Sequence, residues 1–226
     1  GSIGRHYVMT PQGMVVLISG GGTNLQAIID GVESGAISQP IAAVISNKAD
    51  AKGLARASRA GIPAVILDHT AFGDRAHYDA ALAELIHRFD PKLVVLAGFM
   101  RILSADFVAQ FEGRMINIHP ALLPEFKGLH THERAIAEGA TRHGATVHFV
   151  TAALDDGPNI IQAALSVTSS DTPDTLATRV LALEHQIFPM AIEWFLQNNI
   201  CMKDNRCYLN GLCLDANGYH LENGTP

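Results

Sequence analysis

The chain has 226 residues, 48% of them hydrophobic, and carries a formal net charge of −6. That length suits one large domain or two small ones, the apolar share is enough for a substantial core, and the acid excess argues against nucleic acid, whose backbone is met by clustered Lys and Arg. No apolar run reaches the roughly 18 residues of a membrane helix, and Gly1 to Gly13 lacks the basic-then-apolar layout of a signal peptide, so the expectation is a cytoplasmic protein with no membrane partner.

Residues 1–13 read as a cloning scar and disordered start, because an encoded chain would begin at Met9 or Met14. Met14 to Ser19 (MVVLIS) is rich in β-branched residues; three glycines follow, then Leu25, Ile28, Ile29 and Val32 at helical spacing. The pattern predicts strand, glycine turn and helix. Ile41 to Ser46 repeats the strand signal, Ala51 to Ala60 reads as a helix, and Ala64 to Leu67 as a third strand. Tyr78, Ala81, Leu82, Leu85, Ile86 and Phe89 mark one face of a longer helix, and Lys92 to Ala97 is an apolar strand. Alternation of this kind predicts an α/β fold, a Rossmann-like, mostly parallel sheet with helices on both faces.

Arg114 to His119, Thr146 to Thr151 and Ile160 to Val167 supply further strands. Thr172-Pro173 opens a helix as N-cap and first-turn proline, with Leu176, Val180, Leu183 and Ile187 on its buried face and a kink expected at Pro189. The domain is read over 14–200. Residues 201–226 form a C-terminal tail, where Asn210-Gly211 signals a hairpin. The three cysteines, Cys201, Cys207 and Cys213, all lie in this tail, and neither their odd number nor their spacing makes a disulfide framework or a zinc site.

Ser19 to Asn24 lies between strand and helix, where backbone N–H groups and the helix dipole favour an anion. It is no Walker loop, and Leu25 stands at the third glycine position of a dinucleotide fingerprint, so a single phosphate fits better; a glycine turn that only lets the helix pack is the alternative. Asn117 and His119, at the C-terminal end of a strand, share one face by alternation. An amide donor beside an imidazolium can stabilise an oxyanion, although a lone Asn-x-His is more often structural. Asp155-Asp156-Gly157-Pro158 forms a turn from which a carboxylate could reach an imidazole, or is a plain surface turn. His130 and His132 offer no ligand geometry, and no metal is predicted.

The strings VLISGGGTNLQAI, SNK, VVLAGFMRIL, INIHPALLP, KGLHTHERA, GATVHFV, LDDGPNIIQ and EHQIFP, in this order, resemble the folate-dependent phosphoribosylglycinamide formyltransferases over about Met14 to Trp194. The resemblance implies the formyltransferase fold, with 10-formyltetrahydrofolate as co-substrate and glycinamide ribonucleotide as acceptor. It makes Asn117, His119 and Asp155 catalytic, the amides of Gly22, Thr23 and Asn24 the phosphate loop, and Glu184 the acid that holds the glycinamide nucleotide. Arg75, Met100, Arg101, Ile102, Leu103, Asn117 and the loop Thr151, Ala152, Ala153, Leu154 and Asp155 fall to the folate. Asp156 stands where some relatives carry Gly, which adds a charge beside Asp155, and Glu125-Phe126-Lys127 lies in a loop without an assigned task. No Ser or Cys nucleophile sits beside a base, so direct transfer is expected.

A formyl-tetrahydrofolate hydrolase would carry an extra N-terminal domain, a methionyl-tRNA formyltransferase a basic C-terminal one. A non-enzymatic nucleotide-binding module would leave Asn117, His119 and Asp155 as coincidence. Small-molecule substrates and a monomer or homodimer are expected.

Overall fold

The computed structural model describes residues 12–222; most of the expected scar, residues 1–11, lies outside them. The chain alternates β1 (Met14–Ile18), α1 (Thr23–Ser34), β2 (Ile41–Ser46), α2 (Gly53–Arg59), β3 (Ala64–Ile66), α3 (Arg75–Phe89) and β4 (Leu93–Leu96). There follow α4 (Ala105–Gln110), β5 (Met115–His119), α5 (Thr131–Ala137), β6 (Arg142–Phe149), β7 (Asn159–Ser166) and α6 (Pro173–Leu196). After α6 come β8 (Ile200–Lys203), β9 (Arg206–Leu209), β10 (Leu212–Cys213) and β11 (Tyr219–Glu222).

The main sheet runs β11-β7-β6-β5-β4-β1-β2-β3. It is parallel from β3 across to β5, whereas β6 runs antiparallel to both β5 and β7. Both faces of β1 are buried, which is why its residues are all apolar. Met14, Val16 and Ile18 face one core with Leu25, Ile28 and Phe188 of α1 and α6. Val15 and Leu17 face the other, with Tyr78 and Leu82 of α3 and Phe107 of α4. Each such fully buried side chain contributes about 1.5–3 kcal/mol relative to exposure.

Helix α6 starts at a capping box between Thr172 and Thr175 and continues through Pro189 without interruption. Beyond it β8, β9 and β10 form a small antiparallel sheet. Its turns place Asp204, Asn205, Asn210 and Gly211 at positive φ, as tight hairpins require. Strand β11 then returns to the main sheet as a parallel edge beside β7. Among the described residues no helix is long and apolar enough to cross a membrane.

Strand order reverses at β1, whose neighbours are β4 and β2. Ligand crevices of open α/β sheets form beyond the C-terminal strand ends at such a point. The ends of β1, β4 and β5 lead there to the glycine turn, to Gly98-Phe99-Met100 and to His119. Ser19 joins the first two: its N–H donates to Gly98 O at 3.1 Å, and its Oγ accepts from Met100 N at 2.8 Å.

Candidate active site

Gly22 is the N-cap of α1, at φ 74°, and no side chain caps the helix. A Cβ on Gly22 would lie 2.8 Å from the Gly53 Cα, so both conformation and space demand glycine. The first N–H groups of α1 therefore have no side-chain cap, at the positive end of the helix dipole.

In the same first turn, Asn24 Nδ2 donates to Glu184 Oε1 at 3.1 Å, and Asn24 Oδ1 is buried with no partner. Glu184 comes from the middle of α6 and is 7% exposed. Burial pushes its carboxyl up to about 7, opposed by the Asn24 hydrogen bond. An unpartnered amide oxygen and a buried carboxyl with one side-chain donor thus sit beside the uncapped start of α1, an arrangement suited to N–H groups of a ligand.

A carboxyl whose folded pKa is raised adds stability in full below its unfolded value, and that stability is lost as pH climbs through the folded one. For Glu184 the window runs from 4.5 to about 7. Glu184→Gln cannot ionise, so it is expected to match the parent at pH 4.5 and exceed it at pH 8 by on the order of 3 kcal/mol, at roughly 1.4 kcal/mol per unit. Urea unfolding at the two pH values checks this; equal stability of parent and variant at pH 8 contradicts it.

The register of β5 against β6 sets Asn117 opposite His148 and His119 opposite Thr146. These side chains share one face of the sheet, and His148, absent from the residues singled out by sequence, belongs to the group. Its Nδ1 lies 2.9 Å from Phe149 O, which assigns the proton to Nδ1 and leaves Nε2 to accept from Asn117 Nδ2 at 3.4 Å. Burial holds the imidazole below its usual range against the pull of Phe149 O and Asp155, so it is neutral and fixes the Asn117 amide. The signal was the alternation Thr146, His148 along β6.

Asp155 sits at φ 51° in the loop between β6 and β7. Gly157 makes that turn possible, since its Cβ would fall 1.8 Å from Phe149 O. Asp155 Oδ2 accepts from Gly128 N at 2.9 Å and lies 3.6 Å from His119 Nδ1. His119, 6% exposed, donates through Nε2 to Phe126 O at 2.7 Å. The loop without an assigned task thus holds both members of the pair: Phe126 meets His119, and Gly128 meets Asp155. The extra charge of Asp156 is met by Lys127 Nζ at 2.7 Å, whose hydrogen bond keeps that carboxyl below the usual range.

The remaining predicted residues lie on the segment after β4, on the loop after β6 and, for Arg75, at the start of α3. Met100, Ile102 and Leu154 are large apolar side chains on the surface, 61%, 59% and 57% exposed. Leu103 packs against the α3 core, and the Arg101 guanidinium lies over the Tyr78 ring at 4.4 Å with its Nε buried and unpartnered. Thr151 is half-buried, and Ala152 and Ala153 are exposed. Arg75 is exposed in the first turn of α3, and among the described residues no hydrogen bond joins it to the rest of the group.

An uncapped helix start, amine acceptors and a donor–carboxylate group around one crevice are the equipment of a group-transfer enzyme for small phosphorylated substrates. Residues 12–192 match the formyl transferase family model. The phosphoribosylglycinamide formyltransferase of Escherichia coli is 49% identical over 206 residues, covering 91% of this chain and 97% of that protein. The solved phosphoribosylglycinamide formyltransferase of Coxiella burnetii superposes with a TM-score of 0.90 at 52% identity, over 93% of this chain and 99% of that one. The glycinamide ribonucleotide transformylase of Symbiobacterium toebii gives a TM-score of 0.86 at 46% identity, over 88% and 94% of the two chains. The chain belongs to the formyl transferase family, in its phosphoribosylglycinamide formyltransferase branch.

Proposed function

We propose that this chain transfers the formyl group of 10-formyltetrahydrofolate to the amine of glycinamide ribonucleotide, yielding formylglycinamide ribonucleotide and tetrahydrofolate for purine biosynthesis. The buried Asn24–Glu184 acceptor pair beside the uncapped start of α1 carries this reading, because it suits a molecule with a phosphate at one end and an amine at the other. The pterin of the co-substrate lies along Met100 to Leu103, and Arg75, Asn117 and Thr151 to Asp155 complete its site.

The amine nitrogen attacks the formyl carbon, and the carbonyl π pair moves onto oxygen. Asn117 Nδ2 and His119 Nε2 donate to that oxyanion, which takes the place of the Phe126 carbonyl at His119. When the carbonyl reforms, the bond to N10 breaks; the proton lost by the amine reaches N10, with Asp155 and a water as the relay. Asp155 also orients His119, its Oδ2 lying 3.6 Å from Nδ1. No covalent formyl-enzyme is needed.

Purified protein is expected to consume 10-formyltetrahydrofolate only when glycinamide ribonucleotide is present, followed by folate absorbance. Equal turnover without the amine would make the chain a hydrolase instead.

A further inference from the structure

From the geometry of the glycine turn we infer that Arg56 of α2 is a positioning residue for nucleotide binding: it orients the amides that meet the phosphate. The inference rests on the proposed phosphate site at Gly22 to Asn24. Two successive carbonyls of the turn are held by α2. Gly20 O accepts from Gly53 N at 2.9 Å, and Gly21 O accepts from Arg56 Nε at 2.8 Å.

In a trans peptide the C=O and N–H point in opposite directions. Drawing the carbonyls of Gly20 and Gly21 toward α2 therefore turns the N–H groups of Gly21 and Gly22 away from it. Among the described residues neither amide meets a protein acceptor, so the turn presents both, next to the uncapped amides of Thr23 and Asn24. Successive amides turned to one side make an anion-binding concavity.

The clamp is tight. A Cβ at Gly53 would fall 2.5 Å from Ile18 Cδ1, and one at Gly22 would come within 3.4 Å of Arg56 Cδ. Arg56 Nη1 also reaches Gln26 Oε1 at 3.4 Å, and Gln26 Nε2 is tied to Asp30 Oδ1 at 2.9 Å, so the guanidinium is braced from α1 as well. A cavity of about 450 Å³, lined by Thr23, Gln26, Asp30, Arg56 and His185, opens along this face of α1. Glycine pairs are the most flexible peptides in a chain, and without the Arg56 bond the 21–22 peptide is free to rotate its N–H out of the site. The guanidinium also adds a positive charge beside the turn.

The test compares Arg56→Met and Arg56→Lys with the parent, measuring kcat and KM for glycinamide ribonucleotide, for its 5′-dephosphorylated riboside and for 10-formyltetrahydrofolate. Arg56→Met is expected to raise KM for the nucleotide about tenfold, with kcat, riboside KM and folate KM within a factor of two. Arg56→Lys should recover only part of the loss, because an ammonium keeps the charge but not the planar Nε donor. If Arg56→Met melts below the assay temperature, Arg56→Lys alone decides. An unchanged nucleotide KM in a parent that prefers nucleotide over riboside overturns the role of Arg56, as does an equal loss for riboside and nucleotide. A parent indifferent to the phosphate overturns the phosphate site first, and the role of Arg56 with it.

Discussion

His119→Ala and Asp155→Asn are each expected to lower kcat by about 100-fold or more with smaller changes in KM, measured by steady-state turnover at saturating nucleotide and folate. The reason is charge. The formamide oxygen of the ground state is nearly neutral, whereas the tetrahedral oxygen carries a full negative charge, so a donor lost from the site is missed mainly in the transition state. The two losses should also overlap. Asp155 Oδ2 lies 3.6 Å from His119 Nδ1 and is itself fixed by the Gly128 amide, so its work is done largely through the imidazole. The double variant should then be scarcely slower than the worse single one. Additive losses would show that Asp155 acts mainly as the proton relay, apart from its hold on His119, and that the pairing is wrong.

Gly22→Val is expected to raise the nucleotide KM by on the order of 100-fold, while Thr23→Ala changes it by less than about threefold. Two costs fall on the valine. Its backbone must hold φ 74°, a region that β-branched residues avoid, and its Cβ would sit 2.8 Å from the Gly53 Cα. The turn must move away from α2 to relieve that contact, which takes the Gly22 amide out of line. The threonine hydroxyl caps nothing, so its loss leaves the backbone donors in place. Isothermal titration with glycinamide ribonucleotide, alongside a thermal melt, separates lost binding from lost folding. Equal affinities in the two variants would defeat the idea that the main chain cradles the phosphate.

Much of the architecture was legible because the strongest signals were local. Apolar runs rich in β-branched residues, such as Met14 to Ile18 and Leu93 to Leu96, read as strands and are buried on both faces, and Thr172-Pro173 marked the start of α6. The misses have physical causes. Helices α4 and α5 span six and seven residues, less than two turns each, too short to show a period. Strand β6 begins at Arg142 rather than Thr146 because Gly144, which reads as a strand breaker, sits where a Cβ would fall 1.9 Å from Ala163 O. Strand β11 pairs with β7 some 58 residues earlier in register, Tyr219 against Ile161, and nothing in its own four residues names that partner.

The candidate site divides along the same line. Sequence alone singled out the candidates, through short patterns and a family resemblance: the glycine turn before a helix, Asn117 and His119 two apart at a strand end, and the turn from Asp155 to Gly157, each within a few residues. Only the tertiary structure decided who meets whom. It set His148 against Asn117 through the antiparallel register of β5 and β6 and brought Phe126 and Gly128 onto His119 and Asp155. It paired Lys127 with Asp156 and placed Arg56 on the carbonyl of Gly21, 35 residues away. Periodicity and turn chemistry act over one or two turns of chain, whereas these contacts join segments that come together only when β1, β4 and β5 align their ends and the helices close over the core.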